Sequence, residues 1–158
     1  MKTLRTAFCA LFLLMIVVAP RAQAQTPWEL GPDIGVNLDN DELLLGVLAR
    51  IHLSSIPIAL NPGFEFYPSI DSPESLFVLN FDVQYELNAQ SVDPYIGGGI
   101  SWARASTAGT SSSDAGLNLK GGVLFNPNSN SRPFVEAVLN FSDSGESLIF
   151  KAGFLFRM

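Results

Sequence analysis

The chain has 158 residues, with 15 acidic against nine basic side chains, a formal charge of −6 and a single cysteine. That balance excludes a nucleic-acid binder, which needs a positive surface, and one cysteine excludes a disulfide framework. The length allows one domain rather than two once the leader is set aside.

Residues 1–24 read as a secretory signal peptide. Met1-Lys2-Thr3-Leu4-Arg5 is a positive head, Phe8 to Val18 is apolar, and Ala22-Gln23-Ala24 supplies a small-x-small cleavage pattern before Gln25. The apolar run is too short for a spanning helix. Cys9 lies inside it, so cleavage removes the only cysteine. The expected mature domain, residues 25–158, sets the 15 acids against Arg50, Arg104, Lys120, Arg132, Lys151 and Arg157, nine charges below neutral. None of its apolar runs is long enough for a membrane helix, so a membrane reading has to use strands.

Clusters of Gly, Pro, Ser and Asn divide the mature chain into eight pieces with little helical period. The expected strands are Glu29 to Leu38, Leu43 to Leu53, Ile58 to Tyr67, Leu76 to Leu87, Pro94 to Ala103, Ala115 to Phe125, Pro133 to Phe141 and Leu148 to Arg157. These are long for globular strands and suit a tilted crossing of a bilayer. The fourth is the clearest: Phe77, Leu79, Phe81, Val83, Tyr85 and Leu87 alternate with Asn80, Asp82, Gln84 and Glu86. Pro62 interrupts the third, where a proline implies a bulge or a strand end. Leu44, Leu48, Leu124 and Leu155 fall on the mostly polar face.

With the N-terminus on the periplasmic side, the outer loops are Asp39 to Glu42, Pro68 to Ser75, Arg104 to Asp114 and Ser142 to Ser147. The inner turns are Ser54 to Pro57, Asn88 to Asp93 and Asn126 to Arg132. The third outer loop, rich in Ser and Thr, is the longest and is expected to be flexible.

Alternation alone leaves two barrels open: a soluble one with its apolar face inward, and a membrane one with that face against lipid. Side-chain size decides between them. Trp28, Phe64, Phe66, Phe77, Phe81, Tyr85, Trp102, Phe125, Phe141, Phe150, Phe154 and Phe156 share the apolar face, too much ring volume for the interior of eight strands. The opposite face carries Gly31, Gly35, Gly46, Gly63, Gly97, Gly99, Gly122 and Gly153, which make room for long charged neighbours. Those neighbours are Glu29, Asp33, Glu65, Asp82, Glu86 and Glu136, with Arg50, His52, Lys120 and Lys151 to pair them, and Arg157 at the end. Trp28, Tyr67, Tyr95 and Trp102 lie near strand ends, where amphipathic rings favour the headgroup zone.

A signal peptide, eight amphipathic strands, the segment 94-PYIGGGISWA-103 and a closing strand rich in phenylalanine resemble the small outer-membrane β-barrel proteins, the OmpA-like and OmpW-like barrel-domain group of Gram-negative bacteria. The likeness spans essentially the whole mature chain, although no single motif in it is specific. It implies an eight-stranded antiparallel up-and-down transmembrane β-barrel in the outer membrane, inserted by the barrel-assembly machinery. Members usually end on an aromatic residue, whereas this chain ends Phe154-Leu155-Phe156-Arg157-Met158, its last aromatic two residues early. The last expected strand runs to Arg157, so no periplasmic peptidoglycan-binding domain is expected.

No arrangement for chemistry emerges. His52 has no fixed serine partner, Ser101, Ser142, Ser144 and Ser147 lie in no nucleophile elbow, and Gly97-Gly98-Gly99 precedes no phosphate-binding helix. The triple glycine suits a bend or a close approach between strands. No cluster of His and Cys suits zinc. Asp39, Asp41 and Glu42 read as a solvated turn before a calcium site. The sequence thus names no catalytic, cofactor or metal residue and no cofactor. The expected partners are outer-membrane lipid, the assembly machinery and surface or envelope components, with no nucleic acid and no edge that forces the monomer to associate. The expected role is a non-enzymatic barrel with a charge-paired lumen, serving envelope integrity or surface interaction. A narrow solute channel and a soluble lipocalin-like carrier of a hydrophobic ligand are the alternatives.

Overall fold

Strict alternation of apolar and polar residues puts one set of side chains on each face of a sheet, and here the sheet closes on itself. The computed structural model describes residues 28–53, 55–68, 75–87, 89, 92–107, 110–126 and 128–158. Its strands are β1 (Trp28–Asn37), β2 (Glu42–His52), β3 (Ile58–Pro68), β4 (Ser75–Glu86), β5 (Val92–Thr107), β6 (Thr110–Phe125), β7 (Ser131–Ser142) and β8 (Gly145–Arg157). Each pairs antiparallel with the next, and β1 pairs with β8, giving a closed up-and-down barrel. Both chain ends of the described part meet at one end, where Met158 N donates to Trp28 O at 3.0 Å. We call this the terminal end and the opposite one the loop end. The expected signal peptide and most of the outer loop from Pro68 to Ser75 lie outside the described residues, as do parts of the three inner turns.

All eight expected strands are present, with two differences. β5 and β6 run 16 residues each and stay in register from Val92↔Phe125 to Thr107↔Thr110. The segment 104–114, expected to be a flexible loop, is therefore mostly paired hairpin, because a run of small Ser, Thr and Ala residues offers nothing that interrupts a ladder. Pro62 is the second difference. It sits mid-strand and pairs with Phe81 on the β4 side, while on the β2 side the register is the same before and after it, from Leu48↔Gly63 to Ile51↔Leu60. Neither a bulge nor a strand end is needed, because the neighbouring Asn61 Nδ2 donates to Ala49 O at 2.7 Å. That bond satisfies a carbonyl that the missing proline N–H leaves open.

The triple glycine likewise continues the ladder without a bulge, pairing in unbroken register with Gln84, Val83 and Asp82 on one side and Lys120, Leu119 and Asn118 on the other. A Cβ on Gly97 would stand 2.5 Å from Val83 O, so close approach is its role.

The outer surface is an apolar belt. Ile34, Leu45, Val47, Phe64, Phe81, Ile96, Ile100, Leu117, Leu119, Phe150 and Phe154 all point away from the barrel, Leu117 being 62% exposed. Phe77 stacks with Phe64 at 5.8 Å and meets Phe66 at 5.2 Å on this surface. Trp28 and Trp102 are also outward, close to the two rims. A continuous exposed surface of this kind far exceeds what a water-soluble monomer carries. It overturns the alternative of a soluble carrier with its rings inside.

Phe81 lies near mid-strand and Trp28 at a strand end. Phe81→Arg is expected to lower the folding free energy in lipid vesicles by about 2–4 kcal/mol, and Trp28→Arg by about 1 kcal/mol or less. Equilibrium unfolding by urea in vesicles reads both values, and equal losses would contradict the depth assignment.

Candidate functional site

The polar side chains of the barrel gather in its interior. The interior is built in layers, and β7 shows their order: Arg132, Phe134, Glu136, Val138 and Asn140 point inward from the terminal end to the loop end.

At the terminal end, the Arg132 guanidinium bridges Glu29 Oε1 at 2.7 Å and Asp93 Oδ2 at 2.8 Å. His52 stands between Glu29 at 3.4 Å and Glu86 at 3.2 Å. Arg50 reaches Glu86 at 3.5 Å and lies 4.6 Å from the centre of the Tyr95 ring, a cation–π distance. Arg157 Nε is 3.7 Å from Glu29. Above these charges Leu48, Tyr95, Leu124, Phe134 and Leu155 pack into a fully buried apolar layer.

Two glycines create that layer. Gly122 pairs with Tyr95 and Gly153 with Phe134. A Cβ on Gly122 would collide with the Tyr95 ring, and one on Gly153 would stand 2.7 Å from Phe134 Cε1. Each ring leans over the glycine of the neighbouring strand, and Tyr95 thereby reaches Glu136 on β7.

The central layer is ionic. Lys120 Nζ lies 2.8 Å from Asp82 Oδ2 and 3.3 Å from Glu136 Oε1, and donates to Asn61 Oδ1 at 3.0 Å. Lys151 Nζ lies 2.8 Å from Glu65 Oε1 and 3.2 Å from the same Glu136 oxygen. Tyr95 donates its hydroxyl to the other Glu136 oxygen at 3.0 Å, which ties the apolar layer to the ionic one. Asp33 is 6% exposed, and its Oδ1 has no hydrogen-bond partner in the protein. A void of about 10 Å³ borders it.

Above the ionic layer lie Leu44, Tyr67, Val138 and Ile149, backed by Leu76 and Val78. All of these but Leu44 form one wall of a vestibule of about 330 Å³ that reaches down to Glu65, Asp82 and Lys151 of the ionic layer, with Ser101, Asn118 and Asn140 low in it and Asp114, Ser144 and Glu146 near the rim. Asp114 accepts from the Ser144 backbone N–H at 3.2 Å and from its hydroxyl at 2.6 Å, which ties the β7–β8 turn to β6.

Every charge expected inside is inside: Glu29, Asp33, Arg50, Glu65, Asp82, Glu86, Lys120, Glu136 and Lys151 are buried, and His52 is mostly so. Four residues differ from expectation. Arg132 and Asp93, expected in turns, lie in strands, because β7 and β5 each begin two residues before their prolines. Both share the parity of the inward residues that follow them, a signal that was there to be read. Tyr67 and Tyr95 were expected at the headgroups and are instead 5% and 2% exposed, with their hydroxyls on Glu65 and Glu136. The four stray leucines, Leu44, Leu48, Leu124 and Leu155, form the apolar layers.

Of the residues considered for chemistry, His52 is held between two carboxylates at the terminal end, and the serines stand at the loop end. Asp39 turns its carboxylate to the Leu148 N–H at 2.6 Å, away from any shared ion site with Asp41 and Glu42. No group of three or more His, Cys, Asp or Glu placed to hold a metal occurs among the described residues.

An apolar exterior around a closed, layered interior defines a membrane-spanning β-barrel of the smallest class. The fold is that of the small bacterial outer-membrane barrels. The N-terminal β-barrel domain of Pseudomonas aeruginosa OprF matches with a TM-score of 0.71 at 11% identity, over 85% of this chain and 98% of that one. Neisserial surface protein A matches with a TM-score of 0.62 at 17% identity, over 84% and 95%. Ail, the attachment invasion locus protein of Yersinia pestis, matches at 0.57 and 15%, over 84% and 97%. No family model and no curated protein sequence matches the chain.

Lys151→Met would leave four central carboxylates facing one ammonium, and removing one partner from a buried ion network typically costs about 3–5 kcal/mol. Adding Glu136→Gln should recover part of that loss. Urea unfolding of the two variants in vesicles checks the order, and a second variant less stable than the first would contradict the assigned pairing.

Proposed function

We propose that this protein is a non-enzymatic barrel of the outer membrane of a Gram-negative bacterium, with a permanently plugged lumen, contributing to envelope integrity or surface interaction. The supporting observation is the sequence of four interlocked layers across the bore, each joined to the next by named hydrogen bonds or packing. Lys120, Glu136, Tyr95 and Arg50 form a connected chain through the lower layers, and Tyr67 joins Glu65 to the upper apolar layer. An ion entering from the terminal end meets the buried layer of Leu48, Tyr95, Leu124, Phe134 and Leu155, and one entering through the vestibule meets the same layer below the ionic one, where hydration is lost without replacement. The apolar residues among these layers speak against the narrow-channel alternative.

In this reading residues 1–24 are the exported chain's signal peptide. The mature domain is inserted by the barrel-assembly machinery, embeds its belt in outer-membrane lipid as a monomer, and presents the vestibule and the long β5–β6 hairpin outside. Closure of β1 on β8 leaves no membrane-embedded edge for another copy to extend. Interaction with a surface or envelope partner would then involve the loop end, where the sheet rises beyond the lumen layers.

The pure protein in planar bilayers is expected to give no reproducible single-channel steps at any voltage tolerated by the membrane. Reproducible steps of one size from independent preparations would sink the plugged-barrel reading in favour of a narrow channel.

A further inference from the structure

The vestibule lies toward the loop end, with Ser144, Gly145 and Glu146 in its lining, and is of a size that can take a small organic molecule. Its charge is one-sided, with Glu65, Asp82, Asp114 and Glu146 against Lys151. In its floor, Asn140 Nδ2 donates to Asn118 Oδ1 at 2.8 Å, and Asn118 Nδ2 donates to Asn80 Oδ1 and Asp82 Oδ1, both at 3.0 Å. Asn80 Nδ2 in turn donates to Glu65 Oε1 at 2.9 Å. Carboxylates accept and cannot donate when ionised, so Glu65 and Asp82 fix the orientation of every amide in this chain. The Asn118 amide spends both donors on Asn80 and Asp82, and Asn140 spends its two on Asn118 and on Ser101 Oγ at 2.7 Å. The cavity is left with neutral serine hydroxyls, which donate or accept, and with the carboxylates of Asp114 and Glu146 near the rim. The only cation among the lining residues, Lys151, is engaged by Glu65 and Glu136 below. Beside these acceptors, Leu76, Val78, Val138 and Ile149 give an apolar wall.

We infer that the vestibule binds a small organic cation, an ammonium or amidinium group carried on a compact apolar body. The cationic head supplies the positive charge that the rim carboxylates lack, and the body lies against the aliphatic wall. An anion would meet carboxylates with no free cation to balance them. A neutral isostere would leave the acceptors without a charged donor, which is the larger part of charge-assisted recognition. The site rests on the plugged-lumen reading, since a blind floor is what makes the vestibule a pocket rather than a channel mouth.

The test uses the full mature barrel in lipid nanodiscs, with 2-phenylethylammonium as the probe, and 2-phenylethanol and 3-phenylpropionate as neutral and anionic controls. Isotope-labelled Asn side-chain amides report the site, and empty nanodiscs correct for partition into lipid. The expected result is saturable shifts of the Asn140 and Asn118 amides with the cation, binding at least about 10-fold weaker for the alcohol, and no saturation with the carboxylate. Ala103→Phe, which fills the vestibule from β5, should abolish the shifts while leaving the barrel folded. Asp114→Asn combined with Glu146→Gln should weaken the cation about 10-fold and leave the alcohol unchanged. Equal response to cation and alcohol, or saturation that survives Ala103→Phe in a folded barrel, would overturn the inference. Conductance is read on the same preparation: a silent barrel that ignores the cation defeats this site alone, and a conducting one defeats the plugged lumen beneath it.

Discussion

A chain that crosses hydrocarbon must satisfy every backbone N–H and C=O within itself, because no water is there to do so. In this protein the pairing of β1 with β8 meets that demand, and the rest of the structure follows from it. Closure fixes an inside and an outside, and the two-residue period of a strand then distributes every side chain between them. The Asn61 side chain bonding the Ala49 carbonyl beside Pro62 shows how strictly the demand is kept. A proline mid-strand is tolerated because a neighbouring amide stands in for the donor it lacks.

Once the belt is committed to lipid, the interior has to be self-sufficient. Eight strands leave a bore that side chains can fill, and this chain fills it by alternating ionic and apolar layers. Buried ion pairs roughly break even against apolar packing of the same volume, so the ionic layers are better understood as determinants of a single arrangement than as a source of stability. Glu136 is the clearest case, held by both central lysines and by the Tyr95 hydroxyl. The glycines opposite Tyr95 and Phe134 give the same layers their shape, letting each ring lean over the neighbouring strand. A filled bore leaves function to the two ends and the outer surface, and it is the loop end that carries a cavity and a hairpin rising above it.

Much of this was legible in the residues. Parity alone put the apolar rings on one face and Glu29, Asp82, Lys120 and Lys151 on the other, because a one-residue slip would mix charges into the apolar face. Size decided the orientation that parity left open. Strand ends were harder: Pro94 and Pro133 were natural places to begin a strand, and starting there hid Asp93 and Arg132, which close the terminal end. Tyr67 and Tyr95 were misjudged because a ring with a polar tip suits a headgroup as well as a buried carboxylate, and only the cross-strand partner tells which. The 104–114 hairpin was misread as a loop because small polar residues carry no alternation to reveal pairing. The vestibule could not have been anticipated, since its amide chain joins residues from β4, β6 and β7 whose contact depends on the closed register.

The central claim is that the apolar face meets lipid and the polar face encloses the lumen. It is tested most directly by nitroxide labels at Ile100→Cys and Ala103→Cys, outward and inward positions of the same strand, in lipid bilayers. The account expects the Ile100 label to collide with oxygen dissolved in the hydrocarbon and hardly with a water-soluble nickel complex, and the Ala103 label to show the reverse. A label at Ile100 that is shielded from oxygen yet open to the nickel complex would contradict it, and would put the phenylalanine face inside.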